Sequence, residues 1–434
     1  MKLINALKAK TLPRVGATDQ AQFNIAALVL KAHEDKQTRG GGASLTIPRG
    51  DGTNANEANT DGYHKVWARD LYHVATAFLA LNDQASAGRA LDYLFNVQQK
   101  ADGSFPQNSR LDGKPVDDAL QMDEIAYPLI LASQLNRTDR PTWEKHIKSA
   151  ADFLLRHGPF TEQDRWEEES GYSPSTIAAE IAGLVCAAEI ARRNNDEASA
   201  EIYLATADDW VRDIERLMAT TTGFYGDHNY YLRITANDDP DDGAKLEINS
   251  GGGTYDEREI VDAGFLELIR LGIKRADDPL IAKSLAVVDK LLEVATPHGT
   301  SWYRYNHDAY GEQVDGSVYD AQHGVGRLWT LLAGERGEYE IARGKFKQAR
   351  LRLHAMSGFA NSRLMIPEQV WDRKMSPRCS LRFGEGTGSA TPLAWAMAQF
   401  IRLAINLKNG RNLETPRACS MRYIEWDARP MKRP

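Results

Sequence analysis

Apolar residues recur at helical spacing almost from end to end of this chain, and that periodicity restricts its fold more than any other feature. Counting by the i, i+3, i+4 rule gives about twelve amphipathic stretches, near residues 19–36, 69–82, 84–100, 122–136, 141–157, 173–195, 197–220, 257–272, 278–296, 320–334, 337–355 and 388–408. Ser173-Pro174 and Asp139-Arg140-Pro141 read as helix starts, a capping residue followed by proline in the first turn, and Thr391-Pro392 reads the same way. Strand-like runs are few and short. A helix with one apolar stripe must bury it against another layer, and here short connections alternate with long Gly- and Asp-rich ones. About twelve such helices close as six hairpins around a ring: an all-α (α/α)6 barrel, with the long loops and therefore the active site at one end.

With 42% hydrophobic residues among 434, the chain has apolar material for a sizeable core. No shift in composition divides it, so residues 1–18 are expected to be an N-terminal extension and residues 19–434 a single domain. A net charge of -7 and a pI near 5.9 argue against nucleic-acid and anionic-membrane partners. The short basic tail at residues 429–434 does not alter that balance. Three cysteines, Cys186, Cys379 and Cys419, fit neither a disulfide framework nor a zinc site and are expected to be buried free thiols. The N-terminus lacks a long apolar core of the secretory type, and no stretch approaches a membrane-spanning length. A cytoplasmic location is the expectation. His64, His228, His307 and His323 lack metal-ligand spacing, and no phosphate-cradling or dinucleotide-binding glycine loop occurs, so neither metal nor cofactor is expected.

Two acidic motifs carry the chemistry. RWEEESGYSPST holds Trp166, Glu167 and Glu168, and PEQVWD holds Glu368, Gln369 and Trp371. An indole packs on the apolar face of a pyranose while a carboxyl beside it moves protons. Three adjacent glutamates would ordinarily be a solvated face or a first helical turn, but a surface charge run has little use for flanking Trp166 and Tyr172. A general acid must also hold its proton at neutral pH, which apolar surroundings or a second carboxylate can arrange. In DGYHKVWARD, Arg69 and Asp70 suit vicinal hydroxyls, with Tyr63 and Trp67 as pocket wall; the plainer alternative is a capped helix start with a surface ion pair. YRYNHDAYGE offers Arg304 among aromatic residues.

These stretches, taken in order with ALDYLFNVQQKADGSFPQNS, LQMDEIAYPLILA, GRLWTLLAGERGEYEIARG and GSATPLAWAMAQFIRL, resemble the bacterial branch of the family 15 glycoside hydrolases, which holds glucoamylases and glucodextranases. The resemblance implies the (α/α)6 barrel and an inverting, exo-acting hydrolysis of α-linked gluco-oligosaccharides that releases β-glucose. It implies Glu167 as general acid and Glu368 as general base. Arg69 and Asp70 would hold the terminal glucose, Tyr63 would stand near the developing cation, and Trp67 would wall the pocket. Glu168 would bind the second sugar, Arg304 a further hydroxyl, and Gln369 the water site. The chain is expected to lack the family's N-terminal β-sandwich, and it departs from the family in carrying Val116 and Asp117 where two aromatics are usual. Met397 and Gln399 likewise replace a usual His and Glu. Long-starch specificity is therefore not expected, and isomalto-type α-1,6 links are expected at least as readily as α-1,4. The competing readings are a non-catalytic glucan-binding protein and a glucosyl transferase or trehalase on the same scaffold.

Overall fold

The structure is a computed structural model that describes residues 17–41, 63–373 and 381–425. Cys379, Asp61, most of the expected N-terminal extension and the basic tail lie outside the described residues. Among the described residues, twelve helices make a double ring: α1 (Ala17–His33), α2 (Ala68–Ala80), α3 (Gln84–Tyr93), α4 (Met122–Gln134), α5 (Lys148–His157), α6 (Pro174–Arg193), α7 (Glu197–Met218), α8 (Glu267–Arg270), α9 (Pro279–Leu292), α10 (Thr330–Ala342), α11 (Phe346–Phe359) and α12 (Ala394–Asn409). The even-numbered helices pack in sequence, α2 on α4, α4 on α6, and so on until α12 closes on α2, while α3, α5, α7, α11 and α1 pack outside them.

Composition sorts the two layers. In α6 every residue from Pro174 to Ala191 except Glu189 is buried, as an inner helix apolar on all sides must be. In α7 the buried set, with Ala200, Tyr203, Leu204, Ala207, Trp210 and Ile214, keeps the three-to-four spacing of a one-sided helix. Small residues let the inner helices approach closely: a methyl group added at Gly183 of α6 would come within 3.2 Å of Ala126 on α4. Truncating Ile181 in such packing is expected to cost about 2–5 kcal/mol. By length and composition α6 is apolar enough to cross a membrane, which corrects the expectation that no stretch approaches that length; it is 94% buried inside the ring.

Ser173 and Asp139 occupy N-cap positions, and the Asp139 side chain accepts from Thr142 N. Thr391-Pro392 does not start a helix. It is a cis peptide, and α12 begins at Ala394. The stretch 257–272 is not one helix either, because its backbone bonds are diverted sideways. Val261 N donates to the Asn306 side chain, Ile260 O accepts from Arg233 N, and Asp262 bridges to Tyr305, leaving only short turns and α8. Further on, the stretches 320–334 and 337–355 resolve into α10 and α11, parted at Gly344, whose φ of +70° suits glycine.

A four-stranded antiparallel sheet lies beside the ring, in the order β4 (Gln369–Val370), β3 (Leu328–Trp329), β2 (Gly299–Tyr303), β1 (Glu293–Thr296). Trp329 pairs with Gln369 on one side and Trp302 on the other, which brings the two late motifs together. Cys186 and Cys419 are both buried and free.

Candidate active site

A cavity of about 610 Å³ opens at the N-terminal ends of the inner helices. Helix starts leave backbone N–H groups and a partial positive charge there, a favourable setting for carboxylates. Tyr63, Trp67, Arg69, Asp70, Trp166, Glu167, Glu168, Arg304 and Glu368 all line this one cavity. Gln369 and Trp371 do not. Gln369 is buried behind Glu368, to which its side chain donates at 3.2 Å. Trp371 is wholly buried, its ring covered by Arg327 at 4.0 Å, so packing rather than sugar contact accounts for it.

A tight turn spreads the three residues of the first motif in three directions. Glu167 N donates to Asp164 O, Asp164 N donates to Glu169 O, and Glu167 takes a φ of +67°, a costly conformation for a side chain with a Cβ. Asp164 anchors the turn through a buried, two-pronged bond with Arg233 at 2.8 and 3.2 Å. Trp166 points inward, donating to Asp262 at 3.0 Å and meeting Trp329 edge to face. Glu168 turns toward Arg304 and Arg233, which donate at 2.9 and 3.0 Å, and Tyr305 also donates to it. Its two oxygens are thus engaged by the protein.

Glu167 is left facing the cavity. Arg69 donates to it at 3.2 Å and Gln107 at 2.5 Å. Burial pushes its carboxyl up to about 7; Arg69 opposes that, and the Asp70 charge adds to it. Arg69 is fixed in turn by Gln121 at 2.7 Å and Asp123 at 3.0 Å, both at the start of α4. Glu368 is set by the sheet edge, its N–H donating to Ala390 O and its carbonyl accepting from Thr330 N. Tyr63 donates to its carboxylate at 3.0 Å, and the Tyr63 hydroxyl also meets that of Tyr310 at 2.5 Å.

The cavity also contains residues that the motifs give no role: Gln107, Arg165, Asn249, Ser250, Tyr310, Tyr319, Trp329 and Trp395 among them. Several sit inside motifs that carried the resemblance, such as FPQNS and GRLWT, and a tryptophan just before a helix start was the available signal. Trp395 stacks on His73, which burial and Arg402 keep neutral; Arg402 donates to its Nδ1 at 2.5 Å. Gln399, one of the departures from the family, accepts from that same arginine. Among the described residues no group of three or more His, Cys, Asp or Glu is arranged to hold a metal ion. In the NDDPDDG turn, the Asp241 carboxylate is taken up by Thr220, Thr221 and Thr222.

A closed double ring of helices, with carboxylates and aromatic rings in one cavity at the N-terminal ends of its inner helices, defines an (α/α)6-barrel protein with a carboxylate-lined, aromatic-rich site. Residues 24–405 match the glycosyl hydrolases family 15, and the chain belongs to that family. It is 47% identical over 410 residues to a glucoamylase of Clostridium sp. (strain G0005), a match that covers 94% of this chain and 56% of that protein. A crystal structure of a bacterial glucoamylase complexed with acarbose superposes with a TM-score of 0.86 at 46% identity, over 93% of this chain and 57% of that one. The chain thus spans just over half the length of both. The glucoamylase of Saccharomycopsis fibuligera, at 14% identity and a TM-score of 0.64 over 89% of this chain and 94% of that one, shares the fold.

Proposed function

We propose that this chain is an inverting, exo-acting α-glucoside hydrolase that releases β-glucose from the non-reducing ends of short gluco-oligosaccharides. The observation that carries the reading is Glu167, a cavity carboxyl pushed up to about 7 and bonded to Arg69 and Gln107, in the same cavity as the buried Glu368. A carboxyl in that range holds its proton at neutral pH and still gives it up, the property a general acid needs. Glu167 donates its proton to the glycosidic oxygen as the bond to C1 breaks. Glu368 takes a proton from the water that adds to C1 from the opposite face, so the anomeric configuration inverts. Tyr63, bonded to Glu368, stands beside the positive charge that develops at C1, and Arg69 with Asp70 grips the terminal glucose.

The resemblance to glucoamylases supports the choice of α-glucosides. Preference for short chains, with α-1,6 links at least as good as α-1,4, follows from Val116 and Asp117 on the cavity wall: neither offers the ring on which a longer chain would stack, an interaction worth about 0.5–1.5 kcal/mol beyond area. The test is glucose release from maltose, isomaltose, panose, longer dextrins, dextran and trehalose, with the product anomer read by proton NMR in the first minutes. β-Glucose from maltose or isomaltose is the expected result. α-Glucose would end the inverting mechanism, and turnover of trehalose alone would replace the substrate class.

A further inference from the structure

The cavity is unevenly furnished. Tyr63 bonds Glu368 and packs on Trp67, Trp166 packs on Trp329, and Trp395 lies over Arg69, so the rings cluster about the two carboxylates. Val116 and Asp117 are different: they come from an exposed strand, Pro115–Asp117, which pairs with Asn108–Ser109, and Val116 is 45% exposed. Asn249 and Ser250, at the turn of a second hairpin between Lys245–Ile248 and Gly253–Asp256, add polar groups to the same cavity.

Asp117 also brings a negative charge to this wall. Arg69 is matched by Asp123 and Glu167, Arg165 by Asp262 and Glu335, and Arg304 by Asp308 and Glu168. The Asp117 carboxylate accepts from Ala119 N at 3.1 Å, and among the described residues no cation pairs with it. Lys100 is taken by the neighbouring Asp118. Asp117 pairs across its hairpin with Asn108, the neighbour of the Gln107 that bonds Glu167, so it stands on the Glu167 side of the cavity, where the proposed acid meets the leaving group.

We propose that Asp117 is a leaving-group specificity residue. It favours neutral, hydroxyl-rich or cationic leaving groups, whose donors its unpaired oxygen accepts, and it rejects α-glucosides whose leaving group is anionic. The proposal rests on the hydrolase function proposed above and adds a charge rule to it.

The test uses the full chain and three aryl α-glucosides at low ionic strength: phenyl, 4-carboxyphenyl and 4-(aminomethyl)phenyl. Each is compared between the parent and Asp117→Asn, so that differences in leaving-group reactivity cancel. Asparagine keeps the oxygen that caps Ala119 N, and the site is exposed, so folding is preserved. At about pH 5.5, where Glu167 holds its proton in both chains, D117N should raise kcat/KM on the carboxyphenyl glucoside about fivefold relative to phenyl glucoside and lower it on the aminomethyl one by a similar factor, chiefly through KM. About 1 M salt should shrink both differences. Equal changes on all three substrates, or none, would overturn the proposal, as would a parent that cleaves maltose or isomaltose but none of the aryl glucosides. A parent that cleaves none of the five would instead overturn the hydrolase function, and the charge rule with it.

Discussion

Glu167 and Glu368 face one cavity yet are held there in opposite ways. Glu167 stands on a loop turn at φ +67°, with 30% of its side chain exposed, between a cation and an amide. Glu368 is 1% exposed, fixed at a sheet edge, and takes hydrogen bonds from a phenol and an amide. The contrast separates two demands. A proton donor has to have its charged form disfavoured, which burial achieves here against the pull of Arg69. A group that draws a proton from water has to be oriented, and the hydrogen bonds from Tyr63 and Gln369 do that for Glu368.

Removing the proposed proton donor separates the two carboxylates most strongly. Glu167→Gln should lower kcat/KM on maltose about 10²–10⁴-fold but lose far less on α-glucosyl fluoride, whose leaving group needs no proton. Glu368→Gln should lose on both substrates alike. Initial rates of glucose release read the difference, and an equal loss on the two substrates in Glu167→Gln would remove the distinction between the residues. The next effect tests what holds the turn. Asp164→Asn leaves Arg233 buried with only Glu168 to answer it, and urea unfolding should show a loss of about 3 kcal/mol. A smaller effect probes the other arm: Tyr63→Phe removes a donor to the Glu368 carboxylate, so kcat should fall about tenfold with the unfolding midpoint unchanged. A midpoint that falls as far as in Asp164→Asn would make Tyr63 a packing residue.

The ring was legible because burial leaves a periodic mark: α6 is apolar on every side and α7 on one. What the pattern hid were places where side chains take over backbone bonding. Asn306 and Asp262 break the stretch 257–272, yet its apolar spacing alone reads as helix. Gly344, by contrast, was a visible stop signal inside a stretch read as continuous. In the site, Glu167 and Glu368 stood out through their tryptophan neighbours, whereas Trp371 misled. The same indole beside the same motif is buried against Arg327, and sequence does not distinguish an aromatic that meets sugar from one that meets an arginine. Arg233 was invisible for a related reason: it does not line the cavity and works from behind it, locking Asp164 and Glu168 from 65 or more residues away.

The smallest effect sharpens the account of Glu167 itself. Burial is the largest influence and raises its pKa; Arg69 lowers it, Asp70 raises it, the Gln107 hydrogen bond lowers it and Asp117 raises it, with the balance at about 7. The proton-donating form is full well below that value and is lost as pH rises through it, so kcat/KM should fall on the alkaline side with a limb near 7. Gln107→Leu removes a bond that favours the charged form. The alkaline limb should therefore move to higher pH, by up to about one unit, the equivalent of ~1.4 kcal/mol. The acid limb, set by a different group, should stay. A shift to lower pH would mean that Gln107 favours the protonated form instead, and movement of both limbs together would mean that the two carboxyls titrate as a coupled pair, so that neither limb belongs to one residue.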